Sequence, residues 1–125
     1  IRDIYGDEIS LKEITSNLLL NAIKYTPEKG SVTIEAYNFV DFIRVAITDT
    51  GIGIPENDIP YIFDEFFRGS NVKTNFEGTG VGLALAKNVV LRHKGDIWAE
   101  NNKPAGAKFT FEIPVNKDKI LKREL

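Results

Sequence analysis

The chain of 125 residues contains no cysteine, no methionine and a single histidine, His93. Without cysteine there can be no disulfide framework, no thiolate zinc site and no cysteine nucleophile. One histidine excludes a multi-histidine metal centre and leaves a serine triad only His93 to draw on. No apolar run approaches the roughly 20 residues of a membrane span, and no signal peptide opens the chain. Neither sign of charge dominates: 16 basic residues stand against 18 acidic ones, for a net charge of -2. That balance argues against duplex nucleic acid as a partner, because phosphate binding usually shows as a basic excess. The first residue is Ile1. A translated protein starts with methionine, so the sequence is expected to be a piece of something longer, with any targeting or membrane segment outside it.

What is present is an ordinary globular composition, with 42% hydrophobic and 27% charged residues. A chain of this length fits one domain that needs no covalent staple. Ile14, Leu18, Ala22 and Tyr25 recur at helical spacing, which predicts a helix over Ile9 to Tyr25. Ser10 and Glu13 offer a capping box, and Thr26-Pro27 with Gly30 beyond ends the helix. Val32, Ile34 and Ala36 alternate with polar neighbours, as do Ile43, Val45 and Ile47. This predicts strands over Ser31 to Tyr37 and Phe42 to Thr48, joined as an antiparallel hairpin by Asn38 to Asp41. A short helix is expected over Glu56 to Phe63, a polar loop over Gly69 to Glu77, and a second long helix from the glycine run to about His93. A last pair of strands, Asp96 to Glu100 and Lys108 to Ile113, turns at Lys103-Pro104-Ala105-Gly106. Hairpins alternating with separated helices argue an α+β two-layer sandwich. Residues 116–125, with four basic and two acidic side chains, read as a charged tail after a domain over residues 1–115.

Three features carry chemistry. Asn17, Asn21 and Lys24 stand at i, i+4 and i+7 of the first helix, within a stripe of about 60°. A carboxamide oxygen is a hard, neutral ligand for magnesium, and an ammonium neutralises phosphate. The same stripe also fits the polar outer face of an amphipathic helix. Asp49-x-Gly51-x-Gly53 directly follows a strand. Its glycines let backbone approach a flat ligand, and its carboxylate can accept a hydrogen bond from an exocyclic amine such as adenine presents; a plain turn capped by Asp fits as well. Gly78-x-Gly80-x-Gly82 opens an apolar helix, where backbone N–H groups bind anions, though a hinge fits equally. No Lys and Ser/Thr follow the last glycine, which excludes a Walker loop. The absence of a preceding strand excludes a Rossmann turn.

The order and spacing of these motifs point further. Asn-x-x-x-Asn-Ala-x-Lys-Tyr, a hairpin, Asp-x-Gly-x-Gly-Ile-Pro, Phe-Asp-Glu-Phe-Phe-Arg and Gly-Thr-Gly-Val-Gly-Leu follow one another from Asp7 to Pro114. The sequence resembles the catalytic ATP-binding domain of sensor histidine kinases. That domain is a branch of the Bergerat-type ATPases, which include gyrase, mismatch-repair and heat-shock chaperone ATPases. The resemblance implies three main helices on one face of a mixed, largely antiparallel sheet. It implies that Asn21 ligates the magnesium bridging the ATP phosphates, with Asn17 beside it, Lys24 at phosphate and Tyr25 near adenine. Asp49 matches the residue that reads the adenine amine, with Gly51 and Gly53 shaping the pocket and Ile54 beside them. Phe63, Phe66 and Phe67 match the aromatic box, and Arg68 a basic position near the γ-phosphate. Gly78, Thr79, Gly80, Val81, Gly82 and Leu83 match the second glycine box, at the hinge of an ATP lid over Gly69 to Glu77 that includes Lys73 as a phosphate contact.

The catalytic set implied is Asn17, Asn21, Lys24 and Arg68, acting on Mg-ATP as a protein-histidine kinase of two-component signalling. Hydrolytic relatives resembling gyrase carry a water-activating glutamate where this chain has Asn17, which accepts no proton at neutral pH. Glu13 lies one turn earlier. The chain departs from the usual pattern with Phe66-Phe67 for Phe-Tyr and His93-Lys94-Gly95 for His-Gly-Gly, and His93 matches a structural position. The resemblance implies as partners a histidine-bearing dimerisation domain of the same protein and a response regulator. It implies no nucleic acid, no direct membrane contact by this piece, and a monomeric fragment of a homodimeric protein. The location implied is the cytoplasmic part of a membrane-bound sensor. The alternatives are a serine kinase of the anti-sigma type, a nucleotide-gated binding module without transfer activity, and an ATP-driven clamp.

Overall fold

The computed structural model describes residues 8–64 and 82–114, with side chains from residue 12 in the first helix and from residue 83 in the second. Helix α1 spans Glu8–Lys24 and strands β1 and β2 span Val32–Asn38 and Phe42–Asp49. A 3-10 helix over Glu56–Tyr61 precedes α2 (Gly82–Arg92), β3 (Asp96–Asn101) and β4 (Ala107–Pro114). Helix, hairpin, helix, helix, hairpin is the order expected, with boundaries within two residues. The short helix is 3-10 and ends at Tyr61 because Pro60 inside it has no N–H to donate. The capping box at Ser10 involves a side chain outside the described ones.

The four strands pair in the order β1-β2-β4-β3, and every pairing is antiparallel. Both α-helices pack against the sheet and each other, α1 over β2 and α2 over β3 and β4. Residues opposite one another in the register share a face, so Ile47 and Phe109 meet, as do Phe109 and Ala99. On that face Ile43, Val45, Ile47, Ile97, Phe109, Phe111 and Ile113 form one cluster with Ile14, Leu18, Ala22, Ala86, Val89 and Val90 from the helices. Each large apolar side chain buried there contributes about 1.5–3 kcal/mol. α1 ends where Thr26 turns its hydroxyl back to donate to the Ala22 carbonyl at 2.6 Å and Pro27 cannot continue the ladder.

β1 is the strand its alternation predicts, but little of it is covered. Val32 packs against the core, but the rest of the strand is exposed, with Ile34 47% accessible. Among the described residues the helices pack mainly on β2, β3 and β4, while β1 is the edge strand beyond β2. Period-two patterning states which side chains share a face, not whether anything covers it. Leu91 of α2 is likewise half exposed.

α2 stops in a Schellman arrangement. Gly95 N–H donates to the Val90 carbonyl at 2.9 Å and Lys94 N–H to Leu91 at 2.9 Å, with Lys94 in the left-handed region at φ 63. His93 Nδ1 lies 2.7 Å from the Val89 carbonyl oxygen. The histidine therefore caps the helix, as its expected structural position requires.

Candidate functional site

Asp49 is the last residue of β2 and is 4% exposed. Its Oδ1 accepts the N–H of Gly51 at 2.9 Å and the N–H of Ala107 at 3.1 Å. A buried carboxylate needs such donors. Here they come from the following loop and from the start of β4, so the carboxylate is oriented from two sides. Its other oxygen, Oδ2, has no bond to a described residue, which leaves one acceptor for a ligand N–H.

The loop after Asp49 is tied on both flanks. Thr50 N–H donates to the Ser31 carbonyl at 3.1 Å and Ile52 N–H to the Tyr25 carbonyl at 3.3 Å, which joins the loop to the end of α1. On the other flank Ile54 is held by Asn101, whose Oδ1 accepts the Ile54 N–H at 2.7 Å and whose Nδ2 donates to the Ile54 carbonyl at 2.8 Å. Asn102 Nδ2 donates to the Asp49 carbonyl at 3.4 Å and to Ala105 at 3.2 Å.

Two glycines make this closeness geometrically possible. A Cβ on Gly51 would overlap the Tyr25 carbonyl, and one on Gly106 would overlap that of Asp49. Gly106 also sits at φ 97, where side chains are strained. The result is a fixed carboxylate oxygen beside glycine backbone, which suits a flat ring carrying an amine.

Along α1, Asn17, Asn21 and Lys24 are half-buried and continuous helix keeps them within a stripe of about 60°. The Asn17 and Asn21 carboxamides make no side-chain hydrogen bond to described residues. Lys24 Nζ lies 5.5 Å from the centre of the Tyr25 ring. Because Tyr25 also carries Ile52, the stripe runs into the Asp49 loop. Glu13, one turn earlier, is exposed. Among the described residues no group of three or more His, Cys, Asp or Glu could hold a metal. The donor set therefore fits a magnesium ion that takes one amide oxygen here and the rest of its ligands from phosphate and water, as magnesium commonly does.

The remaining expected residues divide. Ile54, Phe63 and Leu83 are partly buried and pack against the core. The Phe63 ring meets Phe109 edge-on at 6.2 Å, and Lys87 Nζ lies 5.8 Å from its centre. Gly82 opens α2. Arg68, Gly78, Thr79, Gly80 and Val81 lie outside the described residues, as do Phe66, Phe67, Lys73, the segment 69–77 and the tail 116–125. Sequence reasoning missed Asn101, Asn102 and the Ala107 N–H. The available signal was the Asn101-Asn102 pair between a strand and a Pro-Gly turn, which by itself reads as turn composition.

A two-layer α+β sandwich with a buried Asp49 opening an Asp-x-Gly-x-Gly turn, and an asparagine stripe beside it, fits a nucleotide-binding class, and comparison with known proteins agrees. The pattern of the histidine kinase-, DNA gyrase B- and HSP90-like ATPases matches residues 6–117, and the chain belongs to that family. It is 38% identical over 122 residues to the sensor histidine kinase WalK of Bacillus subtilis (strain 168), covering 94% of this chain and 20% of that protein. The solved mycobacterial sensor histidine kinase MprB superposes with a TM-score of 0.82 at 32% identity, over 89% of this chain and 76% of that one. The histidine kinase ThkA, solved in complex with the response regulator protein TrrA, gives a TM-score of 0.74 at 31% identity, over 91% and 31%. The chain thus spans about a fifth of the curated relative's length.

Proposed function

We propose that this domain binds Mg-ATP and presents its γ-phosphoryl group to a histidine on a separate dimerisation domain of a longer protein. The observation that carries the nucleotide half of the reading is the Asp49 carboxylate, immobilised through Oδ1 by two backbone N–H groups while Oδ2 has no partner among the described residues. The family and the likeness to sensor histidine kinases support the transfer half.

In this reading Asp49 accepts a hydrogen bond from the adenine amine, and Gly51, Gly53, Ile54 and Tyr25 border the base. Asn21, with Asn17 beside it, would hold the magnesium, which when bound supplies neutralising charge to the phosphates. Lys24 meets phosphate oxygen from the same helix face. Arg68, Gly78, Thr79, Gly80, Val81, Gly82 and Leu83 complete the site on the lid side, and Phe63 backs it from the core. Catalysis then rests on positioning and charge stabilisation, as is general for phosphoryl transfer. The bond from the γ-phosphorus to ADP breaks as one to an imidazole nitrogen forms. Asn17 activates no water, so ATP persists until that imidazole arrives.

The longer protein is read as a homodimeric, membrane-bound sensor with residues 1–115 as its cytoplasmic catalytic domain and 116–125 as a tail. It passes the phosphoryl group to a response regulator and has no nucleic-acid role. Among the described residues no helix is long and apolar enough to cross a membrane. The test is calorimetric titration with ATP and GTP, with and without magnesium, followed by mixing with a histidine-bearing dimerisation domain. Magnesium-dependent, adenine-selective binding and an acid-labile phosphate only on the added domain are expected. Absence of magnesium-dependent heat with ATP, or an acid-labile phosphate on His93 itself, would count decisively against it.

A further inference from the structure

The Asn101 carboxamide does something its position at the end of β3 does not require. It leaves its own hairpin, where its backbone lies opposite Ala107, and pairs with both backbone groups of Ile54 at 2.7 and 2.8 Å. A planar group with one donor and one acceptor here replaces a strand neighbour for a single loop residue. The same Oδ1 would lie 3.2 Å from a Cβ on Gly53, so the amide also sits against the second glycine of the turn. Gly53 itself is at φ 75, and glycine has the widest conformational freedom of any residue. The segment from Gly51 to Ile54 thus runs between two anchors, the Tyr25 carbonyl and the Asn101 side chain.

We propose that Asn101 is a positioning residue for the nucleotide base. It holds Gly53 and Ile54 in the bound shape before ligand arrives, so that the cost of ordering the loop is not charged against binding. This rests on the Mg-ATP reading above. The chemistry demands an amide. Aspartate would set a negative oxygen against the Ile54 carbonyl, serine can make one of the two bonds, and alanine makes neither.

The test compares the unaltered chain with Asn101→Ala and Asn101→Ser by calorimetry and by amide hydrogen exchange at Ile54. Asn101→Ala is expected to weaken Mg-ATP about tenfold and Asn101→Ser about threefold. Exchange at Ile54 should accelerate in both variants, more in Asn101→Ala than in Asn101→Ser. The factor by which magnesium strengthens ATP binding should stay within twofold, because the α1 stripe is untouched. A general loosening of the domain would instead reduce that factor, and this result overturns the proposal. So does faster exchange at Ile54 with ATP affinity unchanged within twofold. If the unaltered chain binds no ATP, the nucleotide reading fails and takes the proposal with it. If the unaltered chain binds and both variants match it, only the role of Asn101 fails.

Discussion

At the end of β2 a carboxylate, four loop N–H groups and two asparagine side chains are joined by hydrogen bonds drawn from the segment after α1, from the β3–β4 hairpin and from the loop itself. On the face of α1 the Asn17 and Asn21 carboxamides carry none to the described residues. Among the described residues the first region is held by tertiary contacts and the second by helical geometry. The difference matches what each has to recognise. A base edge needs a group aimed to within a few tenths of an ångström. A hydrated magnesium and its phosphates bring their own ligand geometry, and side chains that can still turn are suited to meeting them.

The contrast predicts that changes to the tightly packed backbone of the first region disturb folding, whereas changes to the ligand-facing side chains of either region act mainly on binding. The largest effect is expected for Gly106→Ala, which adds a Cβ into the Asp49 carbonyl at φ 97. Backbone strain and overlap together should cost about 3–5 kcal/mol, measured by urea unfolding. A loss below about 1 kcal/mol would mean the close approach is not required, and the contrast would collapse. Asp49→Asn comes next. Its remaining oxygen can still accept the Gly51 and Ala107 N–H groups, so stability should fall by only about 1 kcal/mol, while an N–H now faces the base amine. ATP binding should weaken by about 1.5–3 kcal/mol, a ten- to hundredfold change by calorimetry. GTP binding that weakened equally would show that the residue does not read the base. The smallest effect on folding is expected for Asn21→Ala. Thermal unfolding should move by no more than about 0.5 kcal/mol equivalent, yet the magnesium dependence of ATP binding should vanish. A stability loss above about 2 kcal/mol would sharpen the picture differently, because the stripe would then be structural.

Much of this was readable in the chain before any coordinates. Helical spacing of Ile14, Leu18 and Ala22 gave α1 to within a residue at each end, and all three are buried. The same periodicity placed Asn17, Asn21 and Lys24 together, because side chains on one helix face need only local geometry to meet. The Asp49-Gly51-Gly53 turn was legible for a similar reason: its strained backbone selects its own residues. For β1 the alternation gave the strand but said nothing about its burial. Ile34 has the pattern of a core residue, but no helix covers it among the described residues.

Local periodicity and turn chemistry, both written over a few consecutive residues, were enough for the element order, the polar face of α1 and the glycine turn. The pairing of β2 with β4 and the approach of β3 could not be had that way. They bring the Ala107 N–H to Asp49 and the Asn101 amide to Ile54, and contacts between residues so far apart in the chain depend on sheet register and helix packing rather than on neighbours.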